Sequence, residues 1–472
     1  MAEYDLVAIG GGTAGLVTAA GGAGLGARVA LVERDRLGGE CLWTGCVPSK
    51  ALLACARAAA DARRAGRFGV RTGEVSADLM AALRWVREAQ RRIEPHDSPD
   101  RFRGLGVEVV HGEGRFADER TVLVDGRTLR AKQVVIATGT RAALPPIPGL
   151  ADVPFLTNET VFDLDRQPRT LLVLGAGPIG LELAQAFTRL GTPATVVELT
   201  PTLLPREDEE LAALLGAALR AEGVVIHLGH RVTAVRRDGG EVVVTCDAAD
   251  GTRSELRAEA LLLATGRRSN VESLELDRAG VATEGGDVRV DDRLRTTAAG
   301  IWAAGDVTGG LRFTHVADYE ARLVLRNALF PLSAKRDYSA VPWVTFTDPE
   351  LAHVGLTERE ARDRFGERLG VWRRPFDDVD RAIADDEPLG MVKVLTDPKG
   401  KIVGGHVLGH GAGSMIAELT LAMRHGLTAA QLAAAIHAYP TYPEAIKQAA
   451  ELRLKSRFTG VAKRVAGYLA RR

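Results

Sequence analysis

The sequence predicts an α/β protein of three domains, two built on the same Gly-rich βαβ unit and a third of α+β type. Three observations carry this. A strand, turn, helix and strand pattern over residues 5–33 returns over residues 171–198, an Ala-Thr-Gly twice closes an apolar run, and the texture changes after about residue 336. At 472 residues the chain is too long for one core, and the expected boundaries are 1–150, 151–270, a return to the first domain over 271–335, and 336–472.

The first unit reads "DLVAIG", "GGTAGLVTAAGGAGLG", "ARVALVE". Gly10 permits the tight turn, Gly12 admits a pyrophosphate close to the backbone, and Gly15 lets the helix pack on the strand. The helix N-terminus then offers phosphates its unpaired N–H groups and the positive end of its dipole. Glu33 closes the second strand, placed to accept ribose hydroxyls. Alone such a signature is weak, but "LLVLGAGPIGLELAQAFTRLGTPATVVE" repeats it with Gly175, Gly177 and Gly180, and Glu198 has the same offset from Gly175 as Glu33 from Gly10.

Two such units make the fold two Rossmann-like dinucleotide-binding domains, one holding its cofactor and one exchanging it, with FAD and a nicotinamide as the natural couple. A carboxylate at Glu198 about 4 Å from a 2′-phosphate would repel it by ~4 kcal/mol at an effective dielectric near 20, which favours NADH. NADPH stays possible through Arg206, whose simpler reading is a solvated loop arginine.

"VVIATGT" at 134–140 and "LLLATGR" at 261–267 close the two units alike, placing Thr138, Gly139 and Gly266 beside the dinucleotides. "LPPIPGL" at 144–150 is the expected crossing, and residues 291–310, ending "GIWAAGDVTGG", the return. Beyond 336 come strand-like "GMVKVL" and "KIVGGHVLG" and the helical "GAGSMIAELTLAMRHGL". Helices expected at 51–65 and 77–94 have apolar residues at helical spacing with arginines opposite, as for packing on a sheet.

Composition excludes much else. Lys and Arg total 61 against 61 Asp and Glu, without a like-charge run that could grip nucleic acid or a membrane surface. The N-terminus lacks signal-peptide features and no apolar stretch is long enough to span a bilayer, so a soluble cytoplasmic protein is expected. Four cysteines are too few for a disulfide scaffold in a chain of this size.

Two of them, Cys41 and Cys46, share the segment "GGECLWTGCVPSK" at 38–50. A zinc site would need further ligands at matching spacing, which Cys55 and Cys246 do not supply; both read as ordinary buried cysteines, and no metal is expected. A short-range pair whose thiols a helix N-terminus can acidify suits two-electron exchange. Trp43 and Thr44 between them read as packing residues.

These segments, with "AAGD" at 303–306 and "HAYPTYPE" at 437–444, resemble the FAD-dependent pyridine nucleotide-disulfide oxidoreductases of the lipoamide dehydrogenase, glutathione reductase and mercuric reductase type. The resemblance covers essentially the whole chain. It implies that electrons pass from NAD(P)H through FAD to a Cys41–Cys46 disulfide and on to a small-molecule disulfide or related acceptor. It implies that Asp306 binds the ribityl chain, that Gly114, Thr138 and Gly139 line the adenosine side, and that Lys50, paired with Glu182, lies near the flavin. Cys46 would be the charge-transfer thiol and Cys41 the interchange thiol. The third domain would be a dimerisation domain, making a homodimer in which each site borrows its acid-base residue from the partner. His315 is expected near the flavin, positioned by its backbone.

The departure lies in the borrowed segment. Where the family pattern has histidine before Pro-Thr this chain has Tyr439, with Glu444 retained and His437 two residues earlier. Tyrosine ionises near pH 10 against ~6.5 for histidine, and lost acid-base catalysis amounts to ~10²–10⁴ in rate. Efficient turnover of glutathione disulfide or lipoamide is therefore not expected, unless His437 substitutes as base. Mercuric reductases resemble the chain in this tyrosine but also use adjacent C-terminal cysteines, whereas this sequence ends "GYLARR". Such an enzyme without that pair, an NADH:quinone-type reductase bypassing the thiols, and a dehydrogenase component docked in a larger complex are the competing expectations.

Overall fold

Strand Tyr4–Ile9 is buried at five of its six positions because both faces of its sheet are covered. The computed structural model describes residues 3–331, 333–457 and 467–470; the outermost parts of the expected first and last domains, residues 1–2, 458–466 and 471–472, lie outside them. Around Tyr4–Ile9 run the parallel strands Val29–Glu33, Val107–His111 and the long Arg127–Ile136. The first half of Arg127–Ile136 pairs antiparallel with Thr121–Val124, and its end pairs in parallel with Ile301–Ala303, which arrives from far along the chain. Alternate residues serve opposite faces: Leu6, Ala8 and Leu31 pack with helices Thr13–Gly24 and Thr314–Leu329, while Val7, Ile9 and Val32 meet Phe116 and Val122.

The second sheet repeats the arrangement with parallel Val225–His227, Ala194–Val197, Leu171–Leu174 and Ala260–Leu263. Leu171 and Val173 pack under helix Pro178–Arg189, and Leu172 and Leu174 face an antiparallel sheet that buries Cys246. A two-strand ribbon, Thr140–Ala142 against Arg267–Ser269, ties together the exits of the two units. The third sheet is antiparallel, with strands Pro342–Thr345, Glu350–Gly355, Ile402–Gly409, Met391–Thr396 and Gly370–Pro375 in that order. Helix Ala412–Arg424 covers one of its faces.

Two helices differ from their expected bounds. One runs over Leu79–Ile93, capped by the Asp78 carboxylate, and the other begins at Cys46 rather than at 51 and ends at Arg64. Apolar spacing could not locate that start, because the first turn is Cys-Val-Pro-Ser, and proline is tolerated there since its missing N–H would find no helical partner anyway. A further helical turn, Gly39–Trp43, precedes it. Among the described residues no helix is long and apolar enough to cross a membrane.

Candidate active site

The two Gly-rich turns share one geometry. Gly10 and Gly175 have φ of 109° and 106°, and a Cβ on either would lie 2.3 Å from the Ala137 carbonyl oxygen or 2.5 Å from that of Ala264. A Cβ on Gly15 or Gly180 would lie 1.8 or 2.0 Å from the carbonyl oxygen of Gly10 or Gly175, so each helix rests directly on its own turn. Glu33 accepts from the Gly11 N–H at 2.6 Å and the Asp35 N–H at 2.7 Å; Glu198 accepts from Ala176 at 2.7 Å and Thr200 at 2.9 Å, the same pattern one unit on.

Both turns can take a dinucleotide. Gly12 and Gly177 stand at helix N-termini that no side chain caps, so first-turn N–H groups remain available to phosphate oxygens. A Cβ at Gly177 would meet nothing within 4 Å, and one at Gly12 only Gly39 Cα at 3.9 Å. One continuous cleft of about 2180 Å³ runs between the turns and includes Glu33, Gly114, Thr138, Gly139, Glu198 and Gly266. Asp306 lines it from the turn after Ile301–Ala303, accepting from Thr140 Oγ1 at 3.1 Å.

Both cysteines of the pair line the same cleft, Cys46 exposed to it and Cys41 half-buried. Both are free thiols here rather than the bond that the resemblance implies, and each is the largest influence on the other's acidity. Cys46 opens its helix behind Gly45, with its sulfur 3.3 Å from Thr314 Oγ1. Lys50, one turn on, places Nζ 2.9 Å from Glu182 Oε2 and over the Phe346 ring at 4.4 Å. The other oxygen of Glu182 accepts from the Phe346 N–H at 2.9 Å, so a nearly buried carboxylate has partners on both oxygens.

This setting makes Cys46 the acidic thiol. The hydrogen bond from Cys41 draws it down to about 6, assisted by Thr314 and the Lys50 ammonium and opposed by burial and Glu182. The helix N-terminus acts in the same direction. Cys41 is pushed up, first by that same hydrogen bond and then by burial. The two therefore titrate as a pair with one proton held on Cys41 at neutral pH. Because the Cys46 value is lowered, its thiolate is present above pH 6 and lost below it. The ultraviolet thiolate absorbance of the reduced protein should accordingly rise with a midpoint at about pH 6, and Cys46→Ser should remove that step.

The C-terminal candidates lie elsewhere. Tyr439, Glu444 and His437 do not line the cleft. Tyr439 is 69% exposed, and its hydroxyl donates to Asp380 Oδ2 at 2.7 Å, which keeps the phenol protonated to higher pH than usual. His437 has Nε2 2.8 Å from Glu418 Oε1 and Nδ1 3.1 Å from the Ala435 carbonyl oxygen, so both ring nitrogens have neighbours. Glu444 opens the helix Glu444–Arg457. Arg206 stands exposed on a turn, as expected of a solvated loop arginine, and also lines the cleft with its guanidinium 5.4 Å from the Trp343 ring centre. His315 donates from Nε2 to the Pro342 carbonyl at 2.7 Å, and Trp43 from Nε1 to the Leu37 carbonyl at 2.7 Å.

Glu40, Thr314, Phe346 and Arg267 are site residues that sequence reading missed. Thr314 and Phe346 reach the pair from remote segments without a local signal. Glu40 did carry one, an acidic side chain directly before Cys41. Among the described residues no group of His, Cys, Asp and Glu is arranged to hold a metal.

Comparison with known proteins agrees with this geometry. Residues 4–321 match the family model described as pyridine nucleotide-disulphide oxidoreductase, and residues 341–450 match its dimerisation domain. A mercuric reductase of Streptomyces lividans is 40% identical over 456 residues, spanning 95% of this chain and 96% of that one. A dihydrolipoyl dehydrogenase of Thermus scotoductus is 37% identical over 461 residues, spanning 96% and 97%. The HOCl-induced flavoprotein disulfide reductase RclA from Escherichia coli superposes with a TM-score of 0.84 at 30% identity, covering 95% of this chain and all of that one.

Proposed function

The chain belongs to the pyridine nucleotide-disulphide oxidoreductases, and from that premise we propose that Cys41 and Cys46 are its redox pair, NADH its donor, and a small-molecule disulfide or related soft acceptor its substrate. As a member it is an FAD-dependent enzyme of the disulfide reductase type, in which the bound groups carry electrons from NAD(P)H through FAD to a redox-active disulfide. The observation that carries the reading is the acidic Cys46 at a helix start, beside Thr314, in a cleft shared with both dinucleotide turns.

The residues divide the work. Cys46 holds the thiolate, while Cys41 keeps its proton and must surrender it to attack an acceptor. Lys50 and Glu182 bridge the cysteine helix to the second unit within the cleft that the thiols share, which supports placing the flavin beside both. Gly10, Gly12, Glu33, Gly114, Thr138, Gly139 and Asp306 would hold FAD, and Gly175, Gly177, Glu198 and Gly266 the nicotinamide dinucleotide. Gly15 and Gly180 serve by packing. NADH is favoured because the Glu198 carboxylate, oriented by two backbone N–H groups, would face a 2′-phosphate.

The dimerisation-domain match supports a homodimer. Ile436 at 99% and Tyr439 at 69% exposure form an apolar surface suited to a partner. Tyr439 and Glu444 are then the groups offered across the interface, with His437 held back by Glu418. The cytoplasm is the compartment proposed, since a nicotinamide nucleotide is the donor.

The acceptor is tested by a panel of lipoamide, glutathione disulfide, other small disulfides, Hg²⁺ and quinones, with Tyr439→His alongside wild type. A phenol that keeps its proton cannot cycle it at neutral pH, so the histidine variant should reduce lipoamide at least ~10-fold faster in kcat/KM, with benzoquinone reduction unchanged. A wild type already at ~10⁴ M⁻¹s⁻¹ with a disulfide, and slowed by the substitution, would show Tyr439 to be an adapted catalytic residue.

A further inference from the structure

Strand Ile301–Ala303 leaves the first sheet through Ala304, whose N–H still donates to the Ile136 carbonyl at 3.1 Å. The next N–H, that of Gly305, is taken by a side chain instead: Glu320 Oε2 accepts from it at 2.6 Å. Gly305 is buried, and a Cβ on it would stand 3.3 Å from the Cβ atoms of both Ala14 and Ala317, so the backbone is pinched between the two helices that carry them. Its φ of 79° lies in the left-handed region that glycine adopts freely. The Gly305 carbonyl accepts from the Thr308 N–H and from Thr308 Oγ1, both at 3.0 Å. Asp306 follows directly, so the orientation of these peptide groups sets where its carboxylate enters the cleft.

Glu320 is 2% exposed and has a second partner. Its Oε1 accepts from the hydroxyl of Tyr338, which lies on the connector that precedes the first strand of the third sheet, Pro342–Thr345. That connector is fastened along its length. Asn327 exchanges hydrogen bonds with Ala334 at 2.7 and 2.9 Å, the Arg336 N–H donates to the Asp292 carbonyl at 2.8 Å, and the Asp337 N–H donates to Tyr319 Oη at 2.9 Å. Asp337 also pairs with Arg424 of helix Ala412–Arg424. Glu320 itself stands on helix Thr314–Leu329, whose first residue meets the Cys46 sulfur.

We propose that Glu320 and Tyr338 are positioning residues for the flavin cofactor: together they hold the Gly305–Asp306 turn so that Asp306 meets the ribityl chain. The proposal rests on the placement of Asp306 among the FAD-binding residues above. Without the carboxylate the Gly305 N–H would be a buried donor lacking an acceptor, and without the phenol one oxygen of a buried carboxylate would be left unpartnered. In the apoprotein the turn escapes that cost by opening toward water, whereas bound FAD requires it closed, so the loss falls on the binding equilibrium. Neither side chain lines the cleft, and both act through Asp306.

The test dilutes each holoenzyme and follows flavin fluorescence as FAD dissociates, giving dissociation constants for wild type, Tyr338→Phe, Glu320→Gln, Glu320→Ala, Asp306→Asn and the double variant of Tyr338→Phe with Asp306→Asn. Tyr338→Phe and Glu320→Ala should each weaken FAD binding by at least ~10-fold. Glu320→Gln should stay close to wild type, because its amide oxygen still accepts from Gly305 and its amide N–H groups can donate to the Tyr338 oxygen. In the Asp306→Asn background Tyr338→Phe should cost little more, as expected of residues that act through one group. Wild-type affinity in Tyr338→Phe, or an equal loss with and without the Asp306 carboxylate, overturns the positioning role and leaves Asp306 as a flavin residue. An Asp306→Asn variant that binds FAD as tightly as wild type overturns the placement of Asp306 and the proposal with it. Should Glu320→Ala not fold, Tyr338→Phe carries the test: it removes one oxygen from a half-buried ring, and far-ultraviolet circular dichroism should show it folded while its FAD affinity falls.

Discussion

Replacing Cys46 by alanine is expected to lower kcat for a disulfide acceptor by ~10³-fold or more, because groups that act as one unit lose nearly everything when one is removed. Cys41→Ala should cost about as much, and the double variant little more than either. Folding should be unaffected: Cys46 is exposed to the cleft, and a methyl group is accepted at the first position of a helix whose stability comes from Leu52 and Ala56 in the core. NADH oxidation by a quinone should persist, since that route needs no thiol. Steady-state rates with both acceptors, together with FAD content, check this. Disulfide reduction surviving at a tenth of the wild-type rate or better would remove Cys41 and Cys46 from the mechanism.

NADH should exceed NADPH in kcat/KM by ~10- to 10²-fold, and Glu198→Ala should erase most of that margin. Two like charges about 4 Å apart repel by ~4 kcal/mol at an effective dielectric of 20 and by ~1 kcal/mol in bulk water. Glu198 is half-buried at the cleft wall, so the effect falls between these limits. The carboxylate cannot readily swing aside, because the Ala176 and Thr200 N–H groups hold its two oxygens at 2.7 and 2.9 Å. Arg206 is the counterweight; Arg206→Ala should weaken NADPH more than NADH if its guanidinium leaves Trp343 to meet a phosphate. Both cofactors titrated against both variants give the answer, and a wild type that prefers NADPH refutes the assignment of Glu198.

Much of the site was legible because its parts are local. Gly10, Gly12, Gly15 and Glu33 lie within one βαβ unit, where strand period, turn and helix follow from neighbouring residues, and the second unit repeats them. Cys41 and Cys46 announced themselves by spacing. The pairing of Lys50 with Glu182 was legible only through resemblance, since the two residues stand 132 apart.

By itself, then, the sequence determined two dinucleotide turns, a close thiol pair and a C-terminal segment with tyrosine in an unusual place, because backbone preferences and short-range spacing act over a few turns of chain. Only the tertiary structure decided that Cys46 opens its helix, that Thr314 reaches its sulfur from 268 residues away, and that Arg267 meets Glu40 across 227. Those contacts depend on how the ribbon, the return strand and the second sheet pack on the first. Packing of that kind joins faces that are each merely apolar or polar in sequence, so the identity of the partner, and with it the acidity of each group, arises only when the layers close.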